Sequence, residues 1–399
     1  MSRRAPGMVL KLKPGEADRP LAGHPWIYRN EVAAVPADLE PGSPVDVVDH
    51  RGRFIGRGYA NPASVILARL LTWRDEPIDE AWLTDRIGRA IDLRARVRPD
   101  AACRLLFSEG DGLPGLIVDR YGELLVVQAL TAGIDRLLPV IVPILQTLCR
   151  PTAILARHEV SARKQEGLTQ DKRWLVGPPD TPHNGIVSLR LFGFDLTIDC
   201  LNGQKTGLYL DQADNYALVD RLAAGGRVLD GACYTGLWSL HAARAGAAEV
   251  IGIDLSDEAV AAAQAHAAAN GLADRCRFIA ANLFDELKRR SDAGERFDLV
   301  ILDPPSFVRS RTRVADALRG YKEINLRAMK LLRPGGFLVT CSCSYHLQPE
   351  LFRSLLLESA MDAGRVARLL AWRGQALDHP SLLAVPETDY LKCALLQIG

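Results

Sequence analysis

At 399 residues the chain is too long for one ordinary hydrophobic core, and two or three domains are expected. Its 49 Lys and Arg balance 48 Asp and Glu, so no global field selects nucleic acid and any such surface must be a local patch. Eight scattered cysteines, a short charged start at Met1–Pro6 and no run of about 18 apolar residues exclude a disulfide scaffold, a secretory leader and a membrane span, which predicts a reduced, cytoplasmic protein. Cys341 and Cys343 form a C-x-C pair that no His cluster completes, so no metal is expected.

Up to Trp73, short alternating runs are separated by Gly and Pro. Val9–Leu12, Trp26–Tyr28, Pro44–Val48, Arg53–Tyr59 and Ile66–Leu70 predict a small β-barrel-like module. Its polar faces carry Lys11, Lys13, Arg29, Arg51, Arg53, Arg57 and Arg69 beside Trp26, Tyr28 and Tyr59. Cations next to rings suit a phosphate backbone with unstacked bases; a solvated sheet face is the plainer alternative. Asp79–Val97 has the spacing of an amphipathic helix stopped before Pro99. Arg104–Phe107, Gly115–Asp119 and Glu123–Gln128 read as strands, followed by a helix over Ile134–Leu148 that contains Pro139 and Pro143. Strands at Ala153–Arg157 and Ile186–Arg190 close this middle α+β segment, with Arg163–Gln165 and Lys172–Trp174 expected as polar loops.

From about Leu191 strands and helices alternate, the grammar of a parallel α/β sheet. A leading helix is expected over Gln212–Ala223. Arg227–Asp230 is a buried strand, Gly231–Gly236 turns the chain, Leu237–Ala243 is helical, and Glu249–Asp254 is a second strand ending in a carboxylate. Small residues in the turn allow close approach of a ligand to the backbone, with the N–H groups of a helix start behind them. An acid about 20 residues further on is placed to bind a ribose diol. A dinucleotide site needs G-x-G-x-x-G; here Asp230 leads to Thr235-Gly236, and its carboxylate repels a pyrophosphate but suits an ammonium group. S-adenosylmethionine (SAM), with its amino-acid end, sulfonium and free diol, matches. Helix Ser256–Asn270 follows, then strand Arg277–Ala280, where Asn282 either reads the adenine edge or is a turn residue. Ser256 and Asp257 read as a plain helix cap. A helix ending near Arg290, strand Phe297–Asp303, helix Tyr321–Leu332, strand Gly336–Cys341, helix Pro349–Asp362 and strands Val366–Ala371 and Tyr390–Ile398 complete the domain, the last strand antiparallel.

Two further constellations end strands of this sheet. Asp303-Pro304-Pro305-Ser306-Phe307 is a stiff loop, poor in N–H groups, that holds a carboxylate and a carbonyl toward a base ring. Thr340-Cys341-Ser342-Cys343-Ser344 places two thiols on one face of an ideal strand. Buried thiols are commonly inert, yet a thiol beside a methyl donor has a specific use. Carbon 5 of cytosine becomes nucleophilic only after a thiolate has added at carbon 6.

These stretches carry a resemblance. Gly23–Tyr28, Asp111–Asp119, Gly203–Gln212, Cys233–Gly236, Leu302–Phe307, Ser342–Ser344 and Asp378–Pro380 resemble the bacterial 23S ribosomal RNA cytosine-C5 methyltransferases of the RlmI type over essentially the whole chain. The resemblance implies a PUA-like RNA-binding domain at 1–73, a central strand–strand–helix–strand–strand domain at 74–190, and a class I SAM-dependent methyltransferase domain at 191–399 with a Rossmann-like, seven-stranded sheet. It implies that Cys343 is the nucleophile and Cys341 an extra thiol. It also implies that Gln204, Lys205, Thr206, Gly207, Tyr209, Asp211 and Gln212 wrap the methionine end of SAM. Gly231, Ala232 and Leu237 depart from the usual D-L-F-x-Y-T-G-G loop of the family. The expected reaction is methylation of a cytidine at carbon 5 in 23S rRNA. Asp303 and the loop residues Pro304, Pro305, Ser306 and Phe307 hold the base, and Asp230, Cys233, Thr235, Gly236, Asp254, Asn282 and Asp303 hold the cofactor. RNA is the expected partner, no membrane is, and a homodimer is left open. Two rivals stand: methylation of an exocyclic base nitrogen with structural thiols, and an RNA-binding assembly factor without catalysis.

Overall fold

The computed structural model describes residues 8–177, 184–307, 314–345 and 347–399, and of 314–316 the backbone alone; the start Met1–Pro6 lies outside the described residues. Two compact units divide the chain. The first comprises Met1–Leu189, Ile198–Leu210 and Leu377–Thr388; the second comprises Arg190–Thr197, Asp211–Ala376 and Asp389–Gly399.

Within the first unit, five strands form one sheet in the spatial order Met8–Lys11, Ser43–Val48, Phe54–Ala60, Ile66–Thr72, Trp26–Tyr28. Alternation puts Leu10, Val45, Val47, Ile27 and Leu67 inside, none more than 1 % exposed. Much of the expected basic face turns inward. Arg57 pairs with Asp46 and Asp75, Arg53 with Asp49, and the buried Arg69 with Glu166 at 3.0 Å. Tyr59 is buried in the neighbouring core and bonds Thr131. Lys11, Lys13, Arg29 and Arg51 remain exposed, and so does Arg53 despite its pairing with Asp49.

The second sheet of this unit runs Lys172–Val176, Ala153–Arg157, Leu124–Ala129, Leu116–Tyr121, Ala102–Phe107. Its helices are Glu80–Val97, capped by Asp79, and Ala132–Cys149, capped by Thr131. Pro139 and Pro143 lie four apart on the solvent face of the latter, where carbonyls left without an intrahelical N–H can bond water. With mean hydropathy 1.4 over 18 residues this helix is long and apolar enough to cross a membrane by length and composition alone, although Asp135 and Arg136 interrupt its apolar run. Its Ile134, Leu138, Ile141 and Leu145 join the core instead. Two loop expectations are also corrected. Lys172–Val176 is an edge strand, antiparallel to Ala153–Arg157, because Leu175 and Val176 find apolar neighbours there. Ser161–Gln165 is a short helix whose Arg163 is 2 % exposed and bonds Asp135, since burial recruits the carboxylate. The strand expected at Ile186–Arg190 pairs outside this sheet, in a ribbon of Ile186–Leu191 with Phe194–Asp199 through which the chain passes between units.

The second unit holds a seven-stranded sheet: β1 (Arg227–Gly231), β2 (Glu249–Asp254), β3 (Cys276–Ala280), β4 (Phe297–Leu302), β5 (Leu332–Ser342), β6 (Ala367–Arg373) and β7 (Lys392–Ile398). The spatial order is 3-2-1-4-5-7-6, with β7 antiparallel to both neighbours. Among the described residues, five helices accompany it: α1 (Leu237–Arg244), α2 (Asp257–Ala269), α3 (Leu283–Asp292), α4 (Val314–Leu331) and α5 (Pro349–Ala363). This is the parallel α/β sheet expected from the alternating pattern, and the class I SAM methyltransferase fold that the resemblance implies. Strands buried on both faces read as continuous apolar runs, and Leu299, Val300, Ile301 and Leu302 of β4 are fully buried. The leading helix expected over Gln212–Ala223 is absent; two 3₁₀ turns, Leu210–Gln212 and Tyr216–Leu218, stand there. Asn215 explains it: its side chain bonds the Gln212 side chain and the Gly374 carbonyl, contacts a regular helix would break.

Candidate active site

The loop after β1 is the centre of the site. Ala232 and Tyr234 have φ of +62° and +47°, and Gly236 sits at +86° as the cap of α1. This conformation is pinned by Cys233 N–H to the Ile253 carbonyl at 3.0 Å and Tyr234 N–H to Asp254 Oδ2 at 2.8 Å. A Cβ at Gly236 would lie 3.0 Å from that of Ala263. The atypical Gly231 is matched by its surroundings, since Leu283 and Leu302 occupy the space of a side chain there; the equally atypical Leu237 is buried.

Asp230 is fully buried. Its Oδ2 accepts from Ser239 Oγ at 2.6 Å, while Oδ1 has no hydrogen-bond partner among the described residues, and neither does the buried Thr235 Oγ1. Burial, with Asp303 adding to it, pushes the Asp230 carboxyl up to about 7. Two orphaned oxygens facing one loop fit a ligand that brings an ammonium and hydroxyl groups. Cys233 is buried beside them, its thiol pushed well up by desolvation and so inert. Asp254 closes the loop, accepting from Tyr234 N–H and, through Oδ1, from Ser256 N–H at 3.0 Å. Ser256 caps α2 as expected, and Asn282 caps α3 by accepting from Phe284 N–H at 2.9 Å.

Asp303 stands at the end of β4, half-buried, its N–H bonded to the Gly231 carbonyl. Gln212 Nε2 donates to Oδ1 and Trp238 Nε1 to Oδ2, each at 3.0 Å. Asp211 accepts from the Tyr390 hydroxyl at 2.6 Å. The phenol of Tyr216 is pushed well above its ordinary value by burial and then by Asp303, Asp211 and Asp230, so three carboxylates converge on one corner. Such a field favours a cationic ligand.

β5 ends at Ser342, so Cys343 lies beyond the strand rather than on its face, and the two thiols part company. Cys341 is fully buried opposite Cys393 and is pushed well up by desolvation. Cys343 is half-buried at the sheet's carboxyl edge. Its neighbour Ser344 bonds Ser306 Oγ at 2.7 Å and the Tyr321 hydroxyl at 3.1 Å, which ties the loop after β5 to the loop after β4. Phe307 packs its ring on Tyr321 at 4.6 Å and on Phe284; Pro304 is buried and Pro305 exposed.

The remaining expected cofactor residues are in the first unit. Thr206, fully buried, donates to Asp119 Oδ2 at 2.5 Å and bonds the Tyr121 hydroxyl at 3.0 Å, while Arg104 grips the same carboxylate at 2.8 and 2.9 Å. Lys205 has φ +56° and its ammonium lies 5.5 Å from the Tyr209 ring; the Tyr209 hydroxyl donates to Gln204. Gly207 at φ +142° would bring a Cβ within 2.8 Å of Ile198.

Comparison with known proteins agrees with this geometry. A PUA-like domain family matches residues 10–73, and the S-adenosylmethionine-dependent methyltransferase family matches residues 141–382. The chain is 39 % identical to ribosomal RNA large subunit methyltransferase I of Shewanella amazonensis, covering 96 % of this chain and 97 % of that one. Identity to the protein of the same name from Tolumonas auensis is 38 %, over 93 % and 94 %. This chain belongs to the ribosomal RNA large subunit methyltransferase I family. A solved structure from Streptococcus mutans, titled as a candidate SAM-dependent methyltransferase, shares the fold at TM-score 0.83 and 19 % identity, covering 98 % of this chain and all of that one.

For a member of this family, SAM is the cofactor, and the orphaned Asp230 and Thr235 oxygens are the feature of this chain that suits it. Sequence reasoning missed Trp238, Tyr216 and Lys392. Trp238 carried a signal, an aromatic in the first turn behind the cofactor loop. Tyr216 and Lys392 carried none, since an aromatic after a polar turn and a lysine opening a strand are ordinary.

Proposed function

We propose that this chain transfers a methyl group from SAM to carbon 5 of a cytidine in large-subunit ribosomal RNA through a covalent adduct of Cys343. The observation that supports the reading is the Ser306–Ser344 hydrogen bond, which ties the residue after Cys343 to the loop that begins at Asp303, at the ends of adjacent strands. The names of the 37–39 % identical relatives support ribosomal RNA as the substrate. When bound, SAM supplies an electrophilic methyl group. Asp230 would accept from its ammonium, Thr235 and the Gly236 backbone would border it, Asp254 would receive the ribose diol, and Asn282 would meet the adenine edge. Cys233 lines the loop, and Asp211 and Gln212 would border the methionine end.

Cys343 attacks carbon 6 as the thiolate; the displaced π electrons make carbon 5 the nucleophile, and loss of the carbon-5 proton later expels the sulfur. Asp303, held on both oxygens by Gln212 and Trp238, presents its remaining lone pairs to the base edge, with the Pro304 carbonyl, Pro305, Ser306 and Phe307 forming the wall. In the division 1–73, 74–190 and 191–399, the N-terminal part captures RNA through the exposed Lys11, Lys13, Arg29 and Arg51. The test is incubation of labelled SAM with unmodified rRNA, digestion, and identification of the labelled nucleoside. Labelled 5-methylcytidine that disappears in Cys343→Ala is expected. Label on an exocyclic nitrogen, undiminished in Cys343→Ala, would refute the reading.

A further inference from the structure

Beside Cys343 lies a buried cation that the reaction described so far does not use. Lys392 opens β7 directly opposite Ser342 of β5 and is 3 % exposed. Its Nζ donates to the Ser344 and Tyr390 carbonyls, both at 2.7 Å, so two of its three N–H donors are spent on backbone. Among the described residues no carboxylate lies within ion-pair distance of it. Two carbonyls can be satisfied by a neutral donor at far lower desolvation cost, and lysines are almost never fully buried without an anion to meet. Burial lowers its pKa to about 8, and the largest opposing influence is the charge of Cys343, ahead of Asp389. The other titratable groups at this corner are unsuited to be that anion. Tyr321, reaching in from α4, is pushed up to about 12 by burial and then by Cys343, and Asp389 is exposed on the segment leading into β7. Asp303, at the end of β4, acts on Cys341.

We propose that Lys392 is a positioning residue that holds the sulfur of Cys343 as a thiolate and fixes the turn that aims it. The thiol proton passes to solvent, the electron pair stays on sulfur, and the ammonium keeps its three protons, two on carbonyls and one toward the sulfur. The same side chain clamps the Ser344 carbonyl, so charge and aim come from one residue. This rests on the reading of Cys343 as the nucleophile.

The test is the pH dependence of Cys343 alkylation by iodoacetamide in the full-length protein without RNA, with the site resolved from the other seven cysteines by peptide mass spectrometry. Wild type is expected to show a midpoint below the roughly 8.5 of a free cysteine. Lys392→Gln, which keeps a donor for the carbonyls and loses the charge, is expected to raise the midpoint by about one unit or more, a tenfold loss of thiolate near neutrality. Lys392→Arg is expected to restore it, and the acid limb of the methylation rate should move in parallel. A midpoint unchanged in Lys392→Gln overturns the inference. So does a wild-type midpoint at or above the free value, which needs no variant to fold. Cys343→Ala tests the nucleophile separately. An active Cys343→Ala sinks the covalent reading whatever the alkylation profile, and an inactive one with an unshifted Lys392→Gln profile sinks only the role of Lys392.

Discussion

Acidification should weaken SAM binding through a single carboxylate. Asp230 is buried, one oxygen lacks a partner among the described residues, and its midpoint stands at about 7, so a tenth of molecules carry the ionised form at pH 6.0 and roughly seven tenths at pH 7.4. If the ammonium of SAM binds only the carboxylate, affinity follows that fraction multiplied by the protonated fraction of an α-amino group near 7.8. The product rises about sixfold from pH 6.0 to 7.4, then falls by almost an order of magnitude by pH 9. For the unliganded fold the sign is opposite. The folded pKa of Asp230 is raised above the ordinary carboxyl value of 3.8, so its contribution to stability is fully present below 3.8 and is lost as pH rises through about 7. The assay is isothermal titration of SAM between pH 6 and 9, with Asp230→Asn as control. The variant should lose the acid limb and keep the alkaline one. A wild-type affinity flat from pH 6.0 to 7.4, or an acid limb that survives in Asp230→Asn, would refute the assignment of Asp230 to the ammonium.

The thiols should separate cleanly: Cys343→Ala is expected to abolish 5-methylcytidine formation while SAM affinity stays within twofold or so, whereas Cys341→Ala should keep turnover within a few-fold and cost about 1–2 kcal/mol in urea unfolding for the lost buried sulfur. Asp119→Ala leaves Arg104 and the Thr206 hydroxyl without their shared acceptor, and a loss of about 3–5 kcal/mol, read by thermal unfolding, is expected. Gly236→Ala combines a left-handed φ of +86° with a 3.0 Å approach to Ala263. It should cost about 1–2 kcal/mol of stability and weaken SAM binding by titration.

Local chemistry made much of this protein legible in its residue order. Periods of 2 and 3.6 separate strands from helices, a carboxylate followed by Thr235-Gly236 distinguishes a methyl-donor loop from a dinucleotide loop, and Asp303-Pro304-Pro305 stiffens its own backbone. Each depends on residues within one turn of each other. What only the folded chain decided are pairings over long separations. Gln212 and Trp238 reach Asp303 across 91 and 65 residues, Thr206 reaches Asp119 across 87, and Lys392 reaches Ser344 across 48. The fate of charged side chains belongs here too, since Arg57 and Arg69 look like surface cations until Asp46 and Glu166 are brought against them. The two sulfurs, two residues apart, show the division most plainly. Spacing put Cys341 and Cys343 on one face, but β5 stops at Ser342, so one thiol is sealed against β7 and the other, half-buried, lies beyond the strand end next to Ser344, which bonds Ser306 of the loop after β4. Periodicity is written into neighbouring residues, whereas burial and partnership depend on which strands the fold sets side by side.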